Sequence, residues 1–330
     1  MNVNENLLTA NLRTPMTGSN PMVDVEEDLA NKPEYGLNSW FIIGHFTDRG
    51  HTISYLFHFM IMKVPVLGTK YVSVVSVTDH TTGYYYGEDK MYSAKDVTLD
   101  ENGFGITMPN GYMRGTWDRM EFGFSMPDAT VEGVGVCYGL PIYSKRTGAF
   151  QLLDMYVHQY SIPHMSTTGT MTLKDERYSI RADSWFDRQW QDQNMKNVLR
   201  WSWIAVYLDN GDVLSVFDCD VPSHQQHWVT ILRADGTLDY AEIEPFENGM
   251  NAYWLSERTD QYYPTRITVR IPSEDAVLTF APDPKEQEIA SVMKQLHKYE
   301  ASCDVTGTYH GKEIGGHACI ELIGSWKHFK

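Results

Sequence analysis

The sequence is poor in cysteine and in long apolar runs. Its four cysteines are scattered over 330 residues without a Cys-x-x-Cys pair. This distribution argues against a zinc ribbon, a thioredoxin-type centre or a dense disulfide framework, and it favours reduced thiols. The most apolar window, from Tyr55 to Leu67, contains a histidine, a lysine and a proline, and it is shorter than the roughly 18 residues that span a bilayer. We therefore expect a cytoplasmic protein with no stable membrane insertion.

Positive charge is also scarce. Lysine and arginine number 27 against 43 acidic residues, which gives a formal charge of -16. Such a chain repels phosphate backbones and anionic headgroups, so we expect no nucleic-acid partner. Residues 1–33 are polar, contain three prolines and lack a basic segment followed by an apolar stretch, and we interpret them as a flexible N-terminal arm. The expected partner is a hydrophobic small molecule, bound by a monomer or a homodimer.

The sequence lacks the common motifs that indicate a cofactor-binding or metal-binding site. The sequence has no His-Glu-x-x-His, Gly-x-Ser-x-Gly or P-loop segment, and the glycines between residues 133 and 139 lack the spacing of a dinucleotide-binding turn. His224 and His227 have no third ligand nearby in the sequence. The sequence therefore predicts no cofactor and no metal.

From residue 38 onward the chain has the pattern of an all-β protein. Short runs rich in Val, Ile, Tyr, Thr, Phe and Trp alternate with Asn-Gly, Asp-Gly and other glycine turns, which is typical of hairpins. Only residues 284–298 show helical spacing of apolar residues, so we predict one short helix in the C-terminal half. The polar stretch 191–197 suggests a boundary near residue 192 between two β-domains, at 34–192 and 193–330. Closed barrels or sandwiches are expected, and a closed barrel commonly holds one small ligand.

Several segments resemble the family that contains carotenoid 1,2-hydratases, kievitone hydratase, AttH-type bacterial proteins and certain fungal Diels-Alderases. The most specific is Ser184-Trp185-Phe186-Asp187-Arg188-Gln189-Trp190. The other matching segments are residues 38–41 with 44–46, 160–163 with 169–172, and 201–203 with 208–212. A weaker match lies at residues 299–307 and 315–322. The resemblance implies two lipocalin-like β-domains packed together and a pocket around Asp187.

Asp187 is the first candidate for a catalytic residue. In an alternating strand Trp185 and Asp187 point to one face, while Phe186 and Arg188 point to the other. A carboxyl beside a large aromatic ring in an apolar pocket has a raised pKa and can act as a general acid, as protonation of an alkene requires. The alternative is a structural role, as an ion pair with Arg188 or a cap of the turn before Asp192.

The resemblance adds a second group of candidates. In the carotenoid hydratases the aspartate at this position is thought to donate the proton, preceded by an aromatic residue and by a His-x-aromatic pair. Those positions are occupied here by Trp185, His158 and Tyr160. His158 would hold or activate the water, while Tyr160 and Trp185 would face a cation with their rings. The alternative for His158 is a histidine satisfied by backbone hydrogen bonds beneath the sheet.

Five further residues are candidates for substrate binding. They carry large rings that either pack the core or line a cavity, and they are Trp40, His45, Trp190, Trp201 and Trp203. Of the histidines in the first strands, only His45 has the support of the family pattern.

Three functions fit these residues. The first is a cofactor-independent hydratase or dehydratase, in which Asp187 protonates an isoprenoid or prenylated alkene. The second is an isomerase or cyclase, including a pericyclase that folds a polyene or polyketide. The third is a carrier of hydrophobic ligands, since a fold does not determine a function.

Overall fold

Strands joined by tight turns make up most of the computed structural model, which describes residues 17–100, 103–192, 199–291, 293 and 296–326. Thirteen strands form a first antiparallel sheet: β1 (Leu37–Asp48), β2 (His51–Val64), β3 (Gly68–Asp79), β4 (Tyr84–Tyr92), β5 (Thr98–Leu99), β6 (Phe104–Met108), β7 (Gly111–Thr116), β8 (Arg119–Met126), β9 (Ala129–Cys137), β10 (Ile142–Tyr143), β11 (Ala149–Leu152), β12 (Met155–Leu173) and β13 (Glu176–Gln191). Their spatial order is β4-β3-β2-β1-β13-β12-β9-β8-β7-β6-β5, with β10 and β11 pairing with β12.

Ten strands form a second antiparallel sheet: β14 (Arg200–Leu208), β15 (Val213–Val221), β16 (His224–Leu232), β17 (Leu238–Glu242), β18 (Met250–Leu255), β19 (Tyr262–Ile271), β20 (Ala276–Phe280), β21 (Glu288–Ile289), β22 (Lys298–Tyr309) and β23 (Lys312–Gly324). Their order is β17-β16-β15-β14-β23-β22-β20-β19-β18, with β21 pairing with β22. Each sheet curls into a half-barrel. The all-β prediction is therefore confirmed, while the division into domains at residue 192 stays a prediction.

The helix predicted for residues 284–298 is wrong. The described part of this segment is irregular, and its two-residue strand β21 pairs with Lys298 and Tyr299. Gln287 is fully buried, where its side-chain oxygen accepts hydrogen bonds from Thr78 and from the backbone of Ser302. A surface helix would expose Gln287 to solvent, whereas here its side chain links Thr78 of the first sheet to Ser302 of the second. These hydrogen bonds favour a non-helical backbone at this position. Residues 292, 294 and 295 lie outside the described part of the chain. The helical elements that are described in full are 3-10 turns at Ala94–Asp96, Ser144–Arg146, Phe246–Asn248 and Pro272–Glu274.

The side chains of β14 show how the two sheets meet. Ile204 and Val206 point into the apolar core of the second sheet. Trp201 and Trp203 point the other way and belong to the same apolar cluster as the first sheet. Because side chains alternate along a strand, one strand serves both layers. The interface between the sheets is therefore part of the core.

Part of the N-terminal segment packs against the first sheet. Residues 1–16 lie outside the described residues. Val25 and Leu29 are buried in the same apolar cluster as the first sheet. The Trp40 indole N–H donates to the carbonyl of Leu29 at 2.8 Å, and the Tyr160 hydroxyl donates to the carbonyl of Val25 at 2.9 Å. Whether this arm moves in solution stays a prediction.

No helix in the described part of the chain is long and apolar enough to cross a membrane. All four cysteines are buried and free.

Candidate active site

A cavity of about 1150 Å³, counting the space at its mouth, lies between the two sheets. Residues of β1, β2, β3, β4, β12 and β13 form one wall, and residues of β14, β15, β22 and β23, with Met293 and Leu296, form the other. The walls are mainly apolar and carry the rings of Phe41, Trp201, Trp203 and Phe217. An apolar cavity with a few polar groups is typical of small-molecule sites. The predicted residues Trp201 and Trp203 line it, but it lies between the sheets and not inside a single barrel.

Strand register determines which side chains reach this cavity. Phe41 on β1 is the cross-strand partner of Asp187 on β13 and of His58 on β2. Directly opposed residues in antiparallel strands point to the same face. Asp187, Phe41 and His58 therefore form a row across the floor of the cavity, and the Trp203 ring packs edge-on against Phe41 with a centroid distance of 5.6 Å.

Asp187 is buried without a basic partner on its face of β13. The Trp185 indole N–H donates to Asp187 Oδ1 at 2.7 Å, so the predicted common face of Trp185 and Asp187 is confirmed. Arg188 points to the opposite face, where its guanidinium donates to the carbonyls of Asp28 and Ala30. The interpretation of Asp187 as the ion-pair partner of Arg188 is therefore wrong.

Burial raises the pKa of Asp187 to about 7. Removal of the carboxylate from water disfavours its charged form. The Ser161 hydroxyl and the Trp185 indole act in the opposite direction, while the negative charge of Glu321 adds to the rise. Asp187 can thus hold a proton at neutral pH and release it within the cavity.

A β-bulge separates His158 and Tyr160 from Asp187. Near the turn, the hairpin of β12 and β13 pairs Leu173 with Glu176, and this register continues to the pair of Met165 and Ser184. Between residues 162 and 165 the register shifts by one, so that Ser161 lies opposite Asp187. A shift of one residue reverses the face of every following side chain. Without the bulge, His158 and Tyr160 would share the face of Asp187.

The predicted constellation is therefore not brought together. His158 stacks on Trp190 with a centroid distance of 5.0 Å, and the Tyr160 hydroxyl binds the N-terminal segment. Trp40 lies on the same side, stacked on Phe104 inside the first half-barrel. Of Asp187, Trp185, His158 and Tyr160, only Asp187 lines the main cavity. Trp185 donates a hydrogen bond to Asp187 and packs against Trp203.

Replacement of His158 by glutamine tests this separation. We expect the loss of the stacked ring to cost about 1 kcal/mol of stability and to leave turnover unchanged, since the side chain points away from the cavity. Urea unfolding and steady-state kinetics measure the two effects. Turnover slowed by about 10²-fold or more, the range for a lost general acid or base, at unchanged stability would contradict the assigned faces.

His45 lies in a second, smaller cavity of about 440 Å³ between the same two sheets. Its ring stacks on His317 with a centroid distance of 4.9 Å, and its Nδ1 lies 3.0 Å from the Ser54 hydroxyl. Burial, followed by the charges of His317 and His80, lowers the pKa of His45 to about 4. The imidazole is therefore neutral at pH 7 and lies outside the main cavity.

The structure adds polar groups that the sequence analysis did not select. His58, Lys298 and Glu321 line the main cavity, and Glu300 lines the smaller one. The Lys298 ammonium lies 3.4 Å from Glu300 and 3.5 Å from Glu321. The sequence does contain a signal for the two glutamates, since each lies between apolar residues, in Tyr299-Glu300-Ala301 and in Ile320-Glu321-Leu322. A charged side chain in a buried strand is costly unless it is paired or hydrogen-bonded, so such acids are candidates for a functional site.

Among the described residues, this cluster also contains a group of three side chains whose ligand atoms are near enough to one another to hold a metal ion. One ring nitrogen of His58 and one carboxylate oxygen from each of Glu300 and Glu321 lie within 4.8 Å of one another. Such a donor set can hold a divalent cation. Here Lys298 already supplies a positive charge beside both carboxylates.

Comparisons with known proteins agree with this architecture. A family model described as AttH-like matches residues 139–325. The dehydratase asqC of Emericella nidulans is 25% identical over 234 residues, which cover 67% of this chain and 65% of that protein. The kievitone hydratase of Fusarium solani subsp. phaseoli is 26% identical over 188 residues, which cover 54% of this chain and 52% of that protein. The chain thus spans between half and two thirds of the length of these relatives.

Solved structures show the same fold. A protein designated AttH from Nitrosomonas europaea gives a TM-score of 0.78 at 19% identity, covering 93% of this chain and 99% of the other. The kievitone hydratase from Nectria haematococca gives 0.78 at 16% identity, covering 95% and 99%. The structure of CghA with Sch210972 gives 0.53 at 11% identity, covering 96% of each chain. The resemblance and the fold expected from the motifs are confirmed.

Proposed function

The chain belongs to the AttH-like family, and from this we propose that it is a cofactor-independent hydratase or dehydratase. It adds water to, or removes water from, an isoprenoid or prenylated small molecule. Two relatives named as a dehydratase and as a hydratase support the class of reaction. One observation carries the proposal: a buried carboxyl with a pKa of about 7, Asp187, lies on an apolar cavity among aromatic rings.

Protonation of an alkene carbon is the step that these residues suit. The neutral carboxyl of Asp187 donates its proton, the π electrons form the new C–H bond, and the more substituted carbon becomes a cation. A water molecule then forms the C–O bond and loses a proton. In the reverse direction the hydroxyl takes up a proton and leaves as water, and the Asp187 carboxylate removes a proton from the neighbouring carbon.

The walls favour a substrate whose cation is tertiary. Phe41 and Trp203 present rings to the cavity beside Asp187, and a desolvated cation over such a ring gains about 2 kcal/mol. This gain is small beside the cost of a primary or secondary cation, so the alkene itself must be substituted. A prenyl group has such a double bond and an apolar shape that fits these walls.

Heavy water provides a direct test with the unmodified enzyme. Incubated with prenylated phenols, kievitone among them, the enzyme should form a product heavier by one water, with one non-exchangeable deuterium on the carbon next to the new alcohol carbon. Mass spectrometry and NMR measure both. The reason is that the proton delivered by Asp187 comes from solvent.

The same experiment separates the other two functions. A product of unchanged mass without deuterium would indicate an isomerase or cyclase, in which ring closure occurs by proximity. Tight binding of an apolar ligand without any product would indicate a carrier. Either result would contradict the proposed hydration chemistry.

A further inference from the structure

Glu300 and Glu321 place two acids directly opposite each other in the core. They are cross-strand partners on β22 and β23, and they are 2% and 9% exposed. Two ionised carboxylates in this position repel each other, and like charges directly opposite destabilise a sheet. One Lys298 ammonium, 3.4 and 3.5 Å away, balances one of the two charges.

The second charge is removed most simply by a proton. Burial, reinforced by Glu321, raises the pKa of Glu300 well above its usual range. Two carboxyls that share a site hold one proton between them across a wide pH range. The side chains of Lys298, Glu300 and Glu321 then sum to no net charge, and Asp89 of β4 is a further acid that faces Lys298 across the same cavity.

His58 connects this pair to the row that contains Asp187. One of its ring nitrogens lies within 4.8 Å of carboxylate oxygens of both Glu300 and Glu321. Its Nε2 lies 2.7 Å from the Ser39 hydroxyl, while its Nδ1 is buried without a hydrogen-bond partner among the described residues. A buried ring nitrogen without a partner is costly, which indicates a group that binds a ligand or water during turnover.

The pair and Asp187 stand on two sides of the same space. His58 and Asp187 are the two neighbours of Phe41 in the sheet, so their backbones lie about 10 Å apart, since neighbouring strands are about 4.8 Å apart. Trp203 is the cross-strand partner of Glu321 and packs against Phe41. A substrate lying over Phe41 and Trp203 therefore has a carboxyl on either side.

We propose a second proton-transfer site formed by Glu321 and Glu300, which Lys298 holds in place and His58 assists. This site exchanges protons with the oxygen of the water or hydroxyl group, whereas Asp187 exchanges protons with the carbon. This inference rests on the proposed function. In hydration, the carboxylate of Glu321 accepts the proton that the water loses as the C–O bond forms. In dehydration, the neutral pair donates a proton to the hydroxyl, which leaves as water.

The two cavities give this site its own route to solvent. Glu321 lines the main cavity, and Glu300 lines the smaller cavity with His45, Ser54 and His317. When Glu321 takes up a proton, Glu300 can release its own proton on the side away from the substrate, and the pair then shares one proton again. The site thereby returns to its starting state without opening the apolar cavity.

The shared proton is testable without a substrate. In protein with ¹³C-labelled glutamate carboxyls, infrared spectroscopy should show the band of one neutral glutamate at pH 8. Glu321→Gln and Glu300→Gln should each abolish this band, because the remaining acid then pairs with Lys298 as a carboxylate. Glu313→Gln, an exposed position on β23, is the matched control and should retain it. A wild-type spectrum without a neutral glutamate would overturn the proposal.

Isotope exchange tests whether the glutamate pair and Asp187 act on different atoms of the substrate. A prenyl-derived tertiary alcohol in H₂¹⁸O should exchange its oxygen through the glutamate pair, and the alkene in heavy water should exchange hydrogen through Asp187. We expect Glu321→Gln to slow the oxygen exchange by about 10²-fold or more and to leave the hydrogen exchange close to wild type. Asp187→Asn should show the opposite pattern.

The outcomes distinguish the two proposals. If the wild-type enzyme exchanges neither isotope with any prenylated phenol, the proposed function fails, and the infrared band still decides whether the proton is shared. If both exchanges occur and Glu321→Gln slows them equally or not at all, the proposed function stands and the second site is wrong. A folded Glu321→Gln variant is shown by an unfolding midpoint like that of Glu313→Gln.

Discussion

Replacement of Asp187 by asparagine should slow turnover by about 10²- to 10⁴-fold, the range for loss of a general acid. Asparagine keeps the shape of the side chain and its place beside the Trp185 indole, but it has no acidic proton to give to carbon. The Michaelis constant should change little, since the apolar walls that bind the substrate are unchanged. Steady-state kinetics on a prenylated phenol measure both quantities.

Stability provides the control that the Asp187→Asn variant is folded. The pKa of Asp187 rises from 3.8 to about 7 in the fold, so the folded state binds more protons than the unfolded state between these values. The contribution of Asp187 to wild-type stability is therefore largest below pH 4 and falls as pH rises to 7, by about 4 kcal/mol. The variant should lack this fall and should be the more stable protein at pH 8. An active variant, or one that unfolds more easily at pH 8, would contradict the account.

Replacement of Arg188 by methionine should destabilise the protein by about 3 to 5 kcal/mol. The guanidinium is fully buried and lies over the rings of Trp40 and Trp190, with centroid distances of 4.3 and 4.8 Å. It donates to the Asn38 side chain and to four backbone carbonyls, those of Asp28, Ala30, Ser39 and Gln189. Methionine fills part of the volume but leaves these acceptors without a donor.

Urea unfolding and limited proteolysis check the Arg188 prediction. Because two of the carbonyls belong to the N-terminal segment, residues 17–33 should become the first site of cleavage in Arg188→Met. Arg181→Met is the matched control, since Arg181 is exposed on the same strand, and it should behave like wild type. A loss of less than about 1 kcal/mol in Arg188→Met, the size of an ordinary surface substitution, would mean that the guanidinium does not hold this segment.

The alternation of one strand could be predicted from the sequence, whereas the pairing of two strands could not. The faces of Trp185, Asp187 and Arg188 follow from the period of a single strand. The relation of His158 to Asp187 depends on a bulge at Pro163 and His164, which one sequence does not specify. A signal was present, because a proline inside a strand lacks an N–H and is commonly found at a bulge or an edge.

The predicted helix shows the same limit. Apolar residues at helical spacing indicated one amphipathic surface, but three consecutive residues of this segment, Gln287, Glu288 and Ile289, are all buried. Long-range partners decide such cases: Gln287 is fixed by Thr78 and Ser302, which are distant in sequence. The location of the cavity between the sheets, and with it the glutamate pair, likewise follows from contacts that local patterns do not contain.

The protonation state of Asp187 is the central claim, and a carbon-13 NMR titration of the aspartate carboxyls measures it without a substrate. The resonance that disappears in Asp187→Asn identifies the group. We expect this resonance to titrate with a midpoint near pH 7, because burial in an apolar cavity disfavours the charged form of the carboxyl. A midpoint below about pH 5, within the ordinary range of aspartate, would mean that Asp187 is a carboxylate at neutral pH, and it would contradict the role of Asp187 as the proton donor.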